Sequence, residues 1–176
     1  MKKIPKIINQ EDFEKMLKAV QKSKHKWKKQ VMVAMLLGFE AGMRISEVLG
    51  YEGKNIIQPL QRLQVEQSYI RVIGGKGQKD RIVSRPKRFN EVALKMLPLT
   101  IKRRFLQLHI TKLGKEVLGK CITFHTLRHG FATHYYNKTK DIRGLQQSLG
   151  HSRLDTTAIY AHTNPEDTIK KIQEVF

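Results

Sequence analysis

Cysteine is almost missing from this chain, Cys121 being the single one. No intrachain disulfide can form, which fits a reducing compartment. Long apolar runs are missing as well. No stretch approaches the roughly 18 apolar residues of a membrane-spanning helix, and none sets a basic face against a greasy one. The opening residues, Met1-Lys2-Lys3-Ile4-Pro5-Lys6, are basic with no apolar signal core behind them. An intracellular protein without a membrane partner is the expectation. Acidic residues are scarce too. Fifteen Asp and Glu face 34 Lys and Arg, a formal net charge of +19. A surface of this sign attracts a polyanion, and nucleic acid is the commonest large one. A cationic surface kept for solubility is the alternative.

The 176 residues, 40% of them hydrophobic, suit one domain with a real core. No internal repeat or low-complexity tract divides them. Asn9, with Glu11 and Asp12 behind it, reads as a helix cap, and Phe13, Met16, Leu17 and Val20 recur at helical spacing. A basic joint over residues 21–29 leads into Val31 to Met43, where nearly every residue is apolar or small, as in a helix buried on most sides. Ser46 and Glu47 suit the start of a short helix. From Leu63 to Glu66, Tyr69 to Ile73 and Arg81 to Val83 the pattern turns to short β-prone runs, with a glycine-rich turn over 74–77. Helices are expected again from Asn90 to Leu97, from Ile101 to Leu118 with a break at Gly114, and over Thr126 to Asn137, Asp141 to Leu149 and Leu154 to His162. Asn164-Pro165 opens a last one. The fold class is α+β, mainly helical, with a small antiparallel sheet of about three strands.

The chemistry-bearing residues form an ordered set. His125 and Arg128, three apart at a helix start, share one face. Arg44 follows Gly42, Lys76 occupies the hairpin turn, and His151 and Tyr160 close the series. Two arginines, a lysine, two histidines and a tyrosine, with no carboxylate cluster for a metal, suit phosphate chemistry. The arginine fork matches non-bridging oxygens, and pre-placed cations stabilise the charge of a pentavalent transition state. Each residue alone has a plainer reading. Tyr160 could be core or surface, His125, His129 and His134 hydrogen-bonded helix residues, Arg44 a helix-end charge and Lys76 a solvated turn. Cys121, His125, His129 and His134 also suggest a zinc site, without a second cysteine or a carboxylate to complete it.

The words around these residues decide between the readings. Ala41-Gly42-Met43-Arg44-Ile45-Ser46-Glu47-Val48-Leu49, Gly75-Lys76-Gly77, His125-Thr126-Leu127-Arg128-His129-Gly130-Phe131-Ala132-Thr133, Leu149-Gly150-His151-Ser152 and Thr156-Thr157-Ala158-Ile159-Tyr160-Ala161-His162 follow in order. Together they resemble the tyrosine recombinase (phage integrase) family, and in particular its Xer-like catalytic domains, from about residue 9 to residue 165. The resemblance implies that Tyr160 attacks the scissile phosphate, forms a 3′-phosphotyrosyl link and releases a 5′-hydroxyl. Arg44 and Arg128 would hold the phosphate and His125 would accept or orient the proton. Lys76, with Lys79 as the second choice, would protonate the departing oxygen. His151 would hydrogen-bond a phosphate oxygen and Glu47 would brace Arg44. Lys79 and Arg81 are the expected DNA contacts on the hairpin. No metal or other cofactor is implied.

The partners implied are double-stranded DNA and further copies of the chain, a monomer in solution and a tetramer on paired sites. The cytoplasm of a prokaryote, or of the host of a virus or plasmid, is the implied location. Residues 1–176 read as a single catalytic domain without the N-terminal core-binding domain of about a hundred residues that family members carry. Residues 165–176, with apolar Ile169, Ile172, Val175 and Phe176, would dock on a neighbouring protomer or pack on their own domain. The segment between Leu49 and Arg62 departs from the family pattern. Two other functions stay open: nicking and resealing in the manner of a type IB topoisomerase, and DNA binding without catalysis.

Overall fold

Asn9 caps the first helix as expected, its Oδ1 accepting from the Asp12 amide at 2.7 Å. A computed structural model describes residues 7–74 and 80–150. The capped helix, α1 (Gln10–Lys22), buries Phe13, Met16, Leu17 and Val20 along one stripe. It packs on α2 (Lys28–Phe39), whose residues from Val31 to Phe39 are buried except Met32. The rings of Phe13 and Phe39 stack with centroids 4.0 Å apart. Burying one such ring contributes about 1.5–3 kcal/mol, so α1 and α2 form the spine of the core.

Two long helices close on this spine. α5 (Arg103–Leu118) packs on α1 and α6 (Phe124–Thr139) on α2. Gly114 does not interrupt α5: a Cβ there would lie 2.6 Å from Cγ1 of Ile122, so the missing side chain lets the returning chain approach closely. Thr123 and Thr126 cap α6 reciprocally, the Thr126 amide donating to Thr123 Oγ1 at 3.1 Å and the Thr123 amide to Thr126 Oγ1 at 3.2 Å. The helix therefore starts two residues before the expected Thr126.

Among the described residues the sheet has two strands rather than three. β1 (Tyr69–Val72) pairs antiparallel with β2 (Arg81–Ser84), Val72 facing Arg81 and Ile70 facing Val83. The alternating run at Leu63 becomes a 3-10 turn over Arg62–Gln64, because Gln64 Oε1 accepts from the Gln61 amide at 2.8 Å and closes it. Only Val65 joins the sheet side, by a single bridge to Ile70. The segment between Leu49 and Arg62, which departs from the family pattern, folds back on itself through a Tyr51–Ile57 bridge and buries Leu60.

Asn90 caps a shorter α4 (Glu91–Leu94) than expected, which stops before Pro98, where the residue preceding a proline avoids helix. Between α2 and the sheet lies α3 (Ile45–Leu49), and after α6 comes α7 (Ile142–Leu149), capped by Asp141. α7 rests on α6 through a small separate cluster, Ala132, Leu145 and Leu149. Lys76 and Lys79, and the elements expected after residue 150, lie outside the described residues.

Candidate active site

Gly42 turns the chain from α2 into α3 with φ +63°, and a Cβ there would come within 2.5 Å of the Phe131 ring on α6. The turn sets Arg44 at the N-cap of α3, backed against the start of α6. Glu47, one turn on, reaches back to it. The Arg44 amide donates to Glu47 Oε2 at 2.7 Å, and Arg44 Nη1 to Glu47 Oε1 at 2.9 Å. The Arg44 side chain keeps 20% of its surface open, whereas that of Glu47 keeps 1%.

Arg128 comes from α6 and is 4% exposed. Its Nη1 donates to the Gly42 carbonyl, two residues before Arg44, and its Nη2 to the Leu149 carbonyl at 2.6 Å. Arg81 Nε takes the neighbouring Ser148 carbonyl at 2.8 Å. Two guanidiniums thus satisfy carbonyls at the end of α7, where a helix has no further amides to offer and its dipole favours cations. The chain passes from there through Gly150 toward His151, which lies outside the described residues, as does Tyr160.

Arg81, expected at DNA, turns inward. Its Nη1 and Nη2 each donate at 2.8 Å to one oxygen of Glu47, a bidentate pair at 7% exposure for the arginine. Strand alternation carries this signal: Arg81 shares a face with buried Val83, while Ile82 between them is exposed. Burial alone would push the Glu47 carboxyl up. The hydrogen bonds and charge of Arg81, then the amide and charge of Arg44, outweigh it and bring the group down to about 2. Glu47 is an anion at any working pH.

His125 sits in the first turn of α6, exposed at the open side. Loss of solvent around the ring, then the charges of Arg128 and Arg44, lower its pKa, which keeps the imidazole neutral near pH 7 and able to accept a proton. His129 meets it edge to face, ring centroids 4.2 Å apart. Burial first, then the charges of His125 and Arg128, bring His129 down to about 4. Cys121 and His134, the other members of the suggested zinc set, are exposed. Among the described residues no three histidine, cysteine or carboxylate side chains converge as ligands would.

The structure therefore brings Arg44, Glu47, Arg81, His125 and Arg128 together at the N-termini of α3 and α6. Sequence patterns missed the backbone partners of Arg128, the pairing of Arg81 with Glu47 and the Thr123 cap that aims His125 and Arg128. The cap and the strand face had legible signals; the carbonyl partners had none.

Known proteins resemble the chain over nearly its whole length. The chain is 29% identical to the tyrosine recombinase XerA of Thermococcus kodakarensis over 97% of its own length and 62% of that protein. It is also 29% identical to the tyrosine recombinase XerD of Staphylococcus aureus, over 99% of the chain and 63% of that protein. It thus spans less than two thirds of the length of these relatives. The crystal structure of XerA recombinase superposes with a TM-score of 0.70 and 26% identity, covering 97% of this chain and 65% of that one. In addition, the model of the phage integrase family matches residues 6–167. With its two-stranded sheet, its helical core and its arginines gathered at one corner, the chain belongs to the phage integrase family.

Proposed function

We propose that this chain is the catalytic domain of a site-specific tyrosine recombinase, breaking and rejoining double-stranded DNA through a covalent bond to Tyr160. The observation that supports it best is the convergence of Arg44, Arg128 and His125 at one open corner, where loss of solvent and then the charges of Arg128 and Arg44 lower the imidazole pKa. In this reading, the two arginines draw in the scissile phosphodiester. The Tyr160 hydroxyl gives its proton to His125 as its oxygen attacks phosphorus, an acceptor being needed because a free tyrosine has a pKa near 10. The bond to the 5′-oxygen breaks, and Lys76 protonates that oxygen as it leaves, Lys79 being the second choice. His151 hydrogen-bonds a phosphate oxygen, and Glu47 keeps Arg44 in place. The bound phosphate also brings negative charge beside His125, which favours the imidazolium just when a proton arrives.

The phosphotyrosyl bond retains the energy of the phosphodiester. A 5′-hydroxyl can therefore attack it without an external energy source, and exchange follows when that hydroxyl comes from a second duplex. We place the reaction on paired sites held by a tetramer, in the cytoplasm, with a monomer free in solution. The net charge of +19 supports DNA as the partner. Residues 165–176 are proposed to dock on a neighbouring protomer.

A nicked duplex that loses its short 5′-hydroxyl fragment after cleavage should trap the adduct, and peptide mapping should find the DNA on Tyr160. Tyr160→Phe should abolish trapping; unchanged trapping would remove Tyr160 from the mechanism. Strand exchange that depends on a paired site distinguishes recombination from nicking and resealing on any plasmid.

A further inference from the structure

Arg81 is the first residue of β2, preceded by Asp80, yet its side chain is only 7% exposed. It touches two separate pieces of the fold. Through both carboxylate oxygens of Glu47 it reaches α3, and through the Ser148 carbonyl it reaches the end of α7. The position is crowded as well: a Cβ on Gly150 would lie 2.9 Å from Arg81 Cδ. Beneath α7 lies the small cluster of Ala132, Leu145 and Leu149, with Phe131, Tyr135 and Tyr136 packed against it, and the contacts of Arg81 and Arg128 add polar ties at the helix end.

The sharing of Glu47 has a consequence for Arg44. Glu47 Oε1 accepts from both Arg44 Nη1 and Arg81 Nη1, while Oε2 accepts from the Arg44 amide and Arg81 Nη2. With Arg81 occupying a lone pair on each oxygen, Glu47 holds the Arg44 guanidinium by one contact instead of two. A carboxylate without that second partner would close a bidentate fork on Arg44 and draw it inward. One contact is enough to orient Arg44, and it leaves the rest of the fork for a phosphate.

We infer that Arg81 is a positioning residue of the strand-cleavage site, acting through Glu47 on Arg44 and through the Ser148 carbonyl on the end of α7, and does not itself contact DNA. This rests on the proposed role of Arg44 as a phosphate ligand. Lysine cannot replace it fully, because an ammonium lacks the planar fork that spans both Glu47 oxygens while also reaching Ser148.

The test compares wild type, Arg81→Lys and Arg81→Gln on the nicked trapping duplex, after circular dichroism shows that the variants fold. At saturating DNA, Arg81→Gln should cleave about a hundredfold more slowly, the scale expected when a reacting group is displaced by about an ångström. Arg81→Lys should recover part of the rate. Affinity for the same duplex should stay within about twofold, and its salt dependence should be unchanged. In Arg81→Gln the Glu47 carboxyl, followed by NMR, should titrate higher than in wild type. The inference is overturned if the variants cleave at the wild-type rate once saturated, with weaker binding and a salt slope smaller by about one, since that is the signature of a lost phosphate contact. It is overturned equally if the Glu47 titration does not move. A wild-type chain that forms no adduct on Tyr160 would instead sink the proposed function, and the Glu47 titration would still decide whether Arg81 governs this junction.

Discussion

Two ion clusters in this molecule are mirror images. At the candidate site one glutamate, Glu47, lies between two arginines, Arg44 and Arg81. Some way off, one arginine, Arg88, lies between two glutamates, Glu14 and Glu40, with its guanidinium 5.8 Å above the ring centroid of Phe13. The partners are alike but the surroundings are not. Glu47 is 1% exposed, whereas Arg88 keeps 41%, Glu14 35% and Glu40 21% of their side-chain surface. Buried ions interact in a low dielectric and cannot fall back on water when a partner is lost. Exposed ions can. The first cluster is thus held in place by burial, and the second is a surface clasp between α1, the end of α2 and the segment after β2.

Removing the central member should show the contrast at its largest. Glu47→Ala leaves Arg81 buried without its anion, and about 3–5 kcal/mol of unfolding free energy should disappear, read from urea denaturation. A loss below about 1 kcal/mol would mean that water reaches the site and that the two clusters are alike.

Acid should separate them next. The Glu47 carboxyl stands at about 2 in the folded chain against an ordinary 4.5. The unfolded chain therefore binds the proton more tightly, so the stabilisation is complete above about pH 4.5 and is lost as pH falls toward 2. Up to about 3 kcal/mol is involved. Glu14 is also lowered, by its hydrogen bond to Arg88, so its contribution falls in the same direction. Repeating the titration in 1 M salt should weaken the Glu14 part and spare the Glu47 part, because screening acts on exposed charges. Equal weakening would break the distinction.

A backbone change gives a smaller effect. Gly42→Ala places a side chain at positive φ and against Phe131, and should cost about 2 kcal/mol in thermal or urea unfolding, with slower DNA cleavage as Arg44 shifts. A neutral result would show that the turn before Arg44 tolerates repacking. The smallest effect belongs to the surface clasp. Arg88→Ala should cost no more than about 1 kcal/mol at low salt, less in 1 M salt, and leave cleavage unchanged.

Much of this molecule was written in local pattern. The Asn9 cap, the apolar stripe of α1, the buried α2 and the caps of α4 and α7 all follow from spacing and side-chain chemistry within a few residues. The ordered words around Arg44, His125 and Arg128 pointed to one family before any geometry was known. The third strand failed as an expectation because a side-chain amide, Gln64, closes a turn that alternation alone cannot see. The break at Gly114 failed for a related reason. A mid-helix glycine is costly in isolation, but here the approach of Ile122 requires it.

Local sequence is sufficient for the order of the chemical groups and for most of the short elements, because caps, stripes and strand alternation act over a few positions. The contacts of Arg81 come from long-range folding instead. Its partners stand 34 and 67 residues away, at Glu47 and Ser148. A guanidinium at the root of a basic hairpin reads as a DNA contact until α3 and α7 are folded against it. Once they are, a buried carboxylate and a helix end claim all three nitrogens. The same holds for Arg128, whose carbonyl partners at Gly42 and Leu149 leave no trace in side-chain pattern, since every residue carries the same backbone carbonyl.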